Sequence, residues 1–199
     1  MGRKNDSKER IINASIRLFS EHGFEAVTTR MIANEVGLLP GSLYAHFSSK
    51  EQILTEIYAL YEKALGEVLP EMDALIEMAE TEEPHTALMN ALHYFISETE
   101  EQLDRIIALA ALDYRHHELS KQFINKVLFD TPSYIIRAML NHMVESNRIE
   151  PIDIDSFLIL LTNFVYGYAL RKFTDNRISF DEWLGGSEML LKLIVVTVI

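Results

Sequence analysis

The stretch TTRMIANEVGLLPGSLYAHFSSK, residues 28–50, decides how the rest of the chain is read. A hydroxyl at Thr28 or Thr29 can cap a helix start by accepting from an otherwise orphaned backbone N–H. Ile32, Ala33 and Val36 then recur at helical spacing on one face. Gly37 supplies the left-handed residue that ends such a helix. Leu38 and Leu39 make a short apolar turn, and Pro40 suits the first position of a second helix, where its missing N–H costs nothing. Leu43 and Phe47, four apart, give that helix an inward stripe and leave Ser42, Tyr44 and His46 pointing elsewhere. The spacing therefore predicts a helix-turn-helix, whose second helix can enter a DNA major groove.

Two longer strings carry a family resemblance. Residues 37–54, GLLPGSLYAHFSSKEQIL, resemble the recognition-helix signature of the TetR family of bacterial transcriptional regulators. In that signature a Gly and a small turn precede a Gly-x-Leu-Tyr-x-His/Tyr-Phe core, and a Lys opens the next helix. Gly37, Gly41, Leu43, Tyr44, His46, Phe47 and Lys50 match it. Residues 10–37, RIINASIRLFSEHGFEAVTTRMIANEVG, look like the family's first two helices. Leu39 departs from the pattern: the family often has Ser or Thr there, so this helix start lacks a side-chain cap. The resemblance covers roughly the first quarter of the chain. It implies an N-terminal three-helix DNA-binding domain at residues 1–50 and a C-terminal helical ligand-binding and dimerisation domain at 51–199.

The remaining sequence reads as helix throughout. Its 199 residues can bury a substantial core. With no cysteine there are no disulfides, Cys-based metal sites or thiol nucleophiles. No signal-peptide pattern is visible, and the apolar runs 157–170 and 193–199 fall short of the ~18 residues expected of a membrane span, so a soluble, cytoplasmic protein is expected. Residues 1–50 hold seven Lys/Arg against five Asp/Glu, a net +2; residues 51–199 hold eleven against twenty-five, a net −14. The acidic total argues against general polyanion binding. The pattern predicts a loose basic tail at residues 1–5 and a first helix from about Asp6 to His22. Further helices are expected at 50–69, from Pro84, at 103–114, 119–129, 132–147 and 154–173, and from Phe180 to the end. The fold class is all-α, with about nine helices. The tail LIVVTVI has strand propensity but no evident partner strand, and is kept helical.

In the DNA-binding part, Tyr44 is the first candidate for a phosphate contact, because Leu43 and Phe47 already fill the inward stripe. Lys50 adds a charge at a helix start. Thr28, Thr29 and His46 resemble family backbone-contact positions, which set register and affinity rather than sequence. Base readout is expected from Arg30, Pro40, Gly41 and Ser42. Arg30 can fork onto a guanine, with a solvated role or a phosphate contact equally open, while Pro40 and Gly41 suit apolar contact with thymine methyls.

The C-terminal part carries no catalytic constellation and no cofactor motif. His116-His117-Glu118 are neighbours that diverge by ~100° on a helix and do not chelate together, so no metal site is expected. Met89, His93, Tyr114, Phe123, Met139, His142, Phe164 and Tyr168 are candidate linings of a cavity for a largely apolar ligand, although aromatics and methionines at this spacing also make ordinary core. In the family the last two helices form a four-helix dimer interface. Phe157, Leu161, Trp183, Leu190, Leu191 and Ile194 would supply its area here. The resemblance thus implies a homodimeric repressor released from a palindromic operator by a small molecule. Open beside it are a DNA-binding regulator without a ligand and controlled by a protein partner, an activator, and an enzyme fused to a reader.

Overall fold

The computed structural model describes residues 2–96, 101–171 and 179–196. Their regular structure is helical, with no strand among the described residues. In chain order the helices are α1 (Gly2–His22), α2 (Thr29–Glu35), α3 (Pro40–Leu43), α4 (Lys50–Val68), α5 (Met72–Thr81), α6 (Pro84–Ile96), α7 (Glu101–Asp113), α8 (Glu118–Ile124), a π-helical stretch (Asn125–Asp130), α9 (Thr131–Glu145), α10 (Ile154–Arg171) and α11 (Phe180–Ile194). The all-α expectation holds, with differences at the element ends. α1 starts at Gly2 rather than near Asp6. α5 occupies a stretch to which the sequence reading gave no helix. The single helix expected over 119–129 is α8 followed by the π-helical stretch. α11 ends at Ile194 instead of running to the terminus. There the chain turns to pair with another segment, since the Glu150 N–H donates to Val196 O at 2.8 Å. The loop expected over 174–179 lies outside the described residues except for Ser179, as do the last residues, 197–199.

The chain packs as two compact units, residues 1–64 with 99–124, and 65–98 with 125–199. The first unit holds most of α4 and the α7–α8 pair together with the N-terminal helices. In the first unit Ile11, Ile12, Ile16 and Phe19 form the buried stripe of α1, and α7 packs along α1. Tyr58 of α4 stacks on Phe123 of α8 with centroids 4.2 Å apart, and Tyr61 meets the same ring edge-on at 5.3 Å. The Tyr58 hydroxyl pairs with Ser120 Oγ at 2.7 Å. Burial raises the Tyr58 phenol well above its ordinary range and pushes Tyr61 up to about 12, so both remain neutral packing groups at neutral pH.

In the second unit α9 is central: Ile136, Met139, Leu140 and Met143 are fully buried, and α5, α6 and α10 pack around it. α9 ends through Asn147, at φ 58°, a left-handed position that Asn tolerates. The guanidinium of Arg148 donates to the carbonyls of Ala79 and Glu82 at the end of α5, where the helix leaves acceptors unpaired and its dipole favours a cation. α11 begins with a capping box. Ser179 Oγ accepts from the Glu182 N–H at 3.2 Å, and the Glu182 carboxylate accepts from the Ser179 N–H at 2.8 Å. A Cβ at Gly186 would stand 2.7 Å from Phe164 Cζ, so α11 approaches α10 more closely there than a side chain allows.

Candidate nucleic-acid interface

The sequence 28–47 folds as its spacing predicts. Thr28 is the N-cap of α2, and its hydroxyl oxygen accepts from the Met31 N–H at 3.2 Å. Ile32, Ala33 and Val36 are buried. Gly37 takes φ +69°, the conformation that costs glycine least, and the Leu38 N–H returns to Ala33 O at 2.8 Å. α3 follows with Leu39 as its N-cap, without a side-chain cap bond, and with Pro40 in its first turn. Leu43 and Phe47 point into the core at 0% and 1% exposure. Two α1 arginines fix α2: Arg10 donates to Val36 O at 2.7 Å, and Arg17 pairs with Glu35.

That inward stripe dictates the outward set. Arg30, Pro40, Gly41 and Tyr44 are exposed, and Thr29, Ser42 and His46 are half-buried. Thr28 is exposed with its O–H still able to donate, since the capping bond uses only its lone pair. The Tyr44 and Thr29 hydroxyls lie 3.3 Å apart, which joins α2 and the end of α3 at the surface. Such paired hydroxyls suit phosphate oxygens, and an exposed Arg beside them suits phosphate or a base edge. The largest exposed apolar side chain in this segment is Leu39, at 77%. Sequence reasoning treated that residue as part of an apolar turn and as a missing cap, and gave it no DNA contact.

Lys50 is engaged within the protein. Its ammonium donates to Phe24 O at 2.7 Å and Val27 O at 3.0 Å, and lies 4.1 Å from the centroid of the Phe24 ring. The cation satisfies carbonyls of the α1–α2 loop and so pins that loop to the start of α4. The same loop is held from the other side. The buried Asp113 carboxylate, at the end of α7, accepts from the Phe24 N–H at 2.8 Å, and the His117 ring meets Phe24 edge-on with centroids 4.5 Å apart. Sequence reading could not pair Asp113 with Phe24 across 89 residues. The visible signal was an acidic residue closing the apolar run 106–112.

The candidate ligand-lining residues are divided between the units. Tyr114 and Phe123 belong to the first, and Met89, His93, Met139, His142, Phe164 and Tyr168 to the second. Phe123 and Met139 are core, at 3% and 0% exposure, and His93 is exposed. His142 Nε2 lies 3.1 Å from Glu80 Oε1. Phe164 and Tyr168 gather at Trp183, with centroids 6.1 and 5.4 Å away. The dimer candidates differ in burial. Phe157, Leu161, Trp183 and Leu191 are buried within their own unit, Leu190 is half-buried against that core, and the Ile194 side chain lies outside the described residues. Among the described residues, the large apolar side chains that α10 and α11 leave exposed are Ile159, Leu160, Met189 and Leu193.

Residues 11–57 match the family model described as bacterial regulatory proteins, tetR family. The chain is 31% identical over 137 residues to YerO of Bacillus subtilis, an uncharacterized HTH-type transcriptional regulator; the match covers 68% of this chain and 46% of that protein. The chain belongs to the TetR family. A second TetR-family comparison is with the HTH-type transcriptional repressor KstR2 of Mycobacterium tuberculosis, 39% identical over 56 residues and 28% of each chain. The matched part thus spans less than half the length of these relatives. A regulator structure from Saccharomonospora viridis in complex with choline shares the fold, with a TM-score of 0.68, 18% identity, and coverage of 96% of this chain and 98% of that one. Among the described residues no helix is long and apolar enough to cross a membrane.

Proposed function

We propose that this TetR-family protein is a sequence-specific DNA-binding transcriptional repressor, acting in the cytoplasm as a homodimer on a palindromic operator. The observation that carries the reading is the two-sided α2–turn–α3 unit. Leu43 and Phe47 anchor it, while Arg30, Leu39, Pro40, Gly41 and Tyr44 face outward. One four-residue recognition helix reaches only a few base pairs, and pairing two copies doubles the site. The exposed apolar residues of α10 and α11 support pairing through those helices. Residues 1–50 then act as the reader and 51–199 as the sensing and dimerising part.

Release by a small molecule completes the reading. The repressor name of KstR2 and the choline bound in the Saccharomonospora structure belong to those proteins and support the class of mechanism. A ligand releases DNA when it binds the two states of the dimer unequally, and α4, which begins in the first unit and ends in the second, is one covalent route between them. The full burial of Phe123 and Met139 favours a second reading, in which the second part is solid and a protein partner controls the dimer. Affinity selection of random duplex DNA tests the core of the proposal. Wild type should enrich a two-fold symmetric sequence and Tyr44→Ala should not. A folded dimer that enriches nothing contradicts it.

A further inference from the structure

We propose that Leu39 is the principal sequence-reading side chain at the α3 end of the reader, and that it reads the 5-methyl group of thymine. The inference rests on the DNA-binding reading above and names the base feature read at that site. Two local rules fail together at Leu39. An N-cap position favours Ser, Thr, Asp or Asn, yet here the cap makes no side-chain hydrogen bond. A leucine is normally withdrawn from water, yet this one is 77% exposed, more than any other large apolar residue described in the chain. A position that forgoes both helix capping and burial fits an apolar surface kept for a partner.

The neighbouring residues independently limit what α3 can read. Pro40 has no N–H to donate, Gly41 and Ala45 have no polar side-chain atom, and Leu43 is buried. The Tyr44 hydroxyl sits 3.3 Å from Thr29 Oγ1, at the edge toward α2. Ser42 is half-buried and short. No long hydrogen-bonding side chain projects from α3, so the bidentate contacts that identify guanine or adenine are absent from this helix. In the major groove the apolar feature that distinguishes a base pair is the thymine methyl. Leu39, Pro40 and Ala45 are the groups that complement it.

The test uses the full-length dimer and its selected operator, with each thymine replaced singly by deoxyuridine. That change removes one methyl and leaves every hydrogen-bonding group in place. Wild type should lose affinity about three- to fivefold at one or two positions per half-site, and Leu39→Ala should bind more weakly but no longer respond there. Leu39 is exposed enough that its truncation leaves the fold intact, which an unchanged thermal melt and unchanged affinity for non-operator DNA would verify. If wild type binds its operator and ignores every deoxyuridine, methyl reading is wrong while the DNA-binding reading stands. If the deoxyuridine effect persists in Leu39→Ala, another side chain reads the methyl and the assignment to Leu39 fails. If no operator can be selected, both readings fail together.

Discussion

Lys50 matches a family pattern and also serves the protein's own backbone. Its ammonium serves two carbonyls and an aromatic face within the protein. Lys50→Met should therefore cost about 2 kcal/mol of stability, the range of charge-assisted hydrogen bonds, and should leave the salt dependence of DNA binding unchanged. A urea midpoint and a titration at several salt concentrations check both halves. Unaltered stability with a shallower salt slope would return Lys50 to the phosphate backbone. Gly186 is constrained by space. Gly186→Ala places a methyl 2.7 Å from Phe164 Cζ, and the strain of overpacking should lower stability by about 1–3 kcal/mol. A smaller neighbour at 164 should restore it, so Phe164→Leu in the Gly186→Ala background is the confirming double variant.

At the scale of elements, helix starts and the α1–α2 loop carry the predictions. Hydrogen bonds from the Ser179 N–H, then from the Ser179 hydroxyl, hold the Glu182 carboxyl below its ordinary value of 4.5. A folded-state value below the unfolded one contributes stability above about 4.5 and loses it as pH falls through the lower folded value. Wild type should thus be more stable than Glu182→Gln at neutral pH, with the gap closing on acidification below 4.5. Melting temperatures across that range read the effect, and a gap that widens in acid would refute it. Asp113 closes the loop contact, where the buried Phe24 backbone has this carboxylate as its acceptor. Asp113→Ala should cost about 1–3 kcal/mol for the orphaned N–H. Exchange of the Phe24 amide should accelerate, and helix content should remain.

At the scale of the whole molecule, burial separates two kinds of residue on α10 and α11. Ile159 and Leu193 are 63% and 68% exposed, whereas Phe157 and Trp183 are each 1% exposed. Ile159→Asp with Leu193→Asp should yield a folded monomer by light scattering and circular dichroism, with operator affinity greatly weakened by loss of the paired reader. Phe157→Asp should abolish folding, because it buries an unpaired charge. A double variant that remains dimeric would move the interface elsewhere.

The sequence by itself determined what depends on short range. The helix-turn-helix between Thr28 and Phe47 was legible because a cap, a left-handed glycine, an N-terminal proline and a four-residue apolar spacing act within one or two turns. The all-α class followed from the same local periodicity, as did the outward exposure of Tyr44, Pro40 and Gly41. Tertiary structure decided whatever depends on which distant residue arrives nearby. Lys50 meets Phe24 and Val27, and Asp113 meets Phe24 across 89 residues; neither pairing leaves a periodic trace. α10 is apolar on nearly every side, so its pattern could not say which face the core takes, and packing against α9 and α11 left Ile159 and Leu160 outside while burying Phe157 and Leu161. The end of α11 was also a long-range matter: β-branched residues 195 and 196 are ambivalent between helix and extended chain, and the waiting Glu150 N–H settles them as extended. Local propensity fixes an element when its alternatives are poor, and where they are nearly equal in energy the contacts made on folding choose.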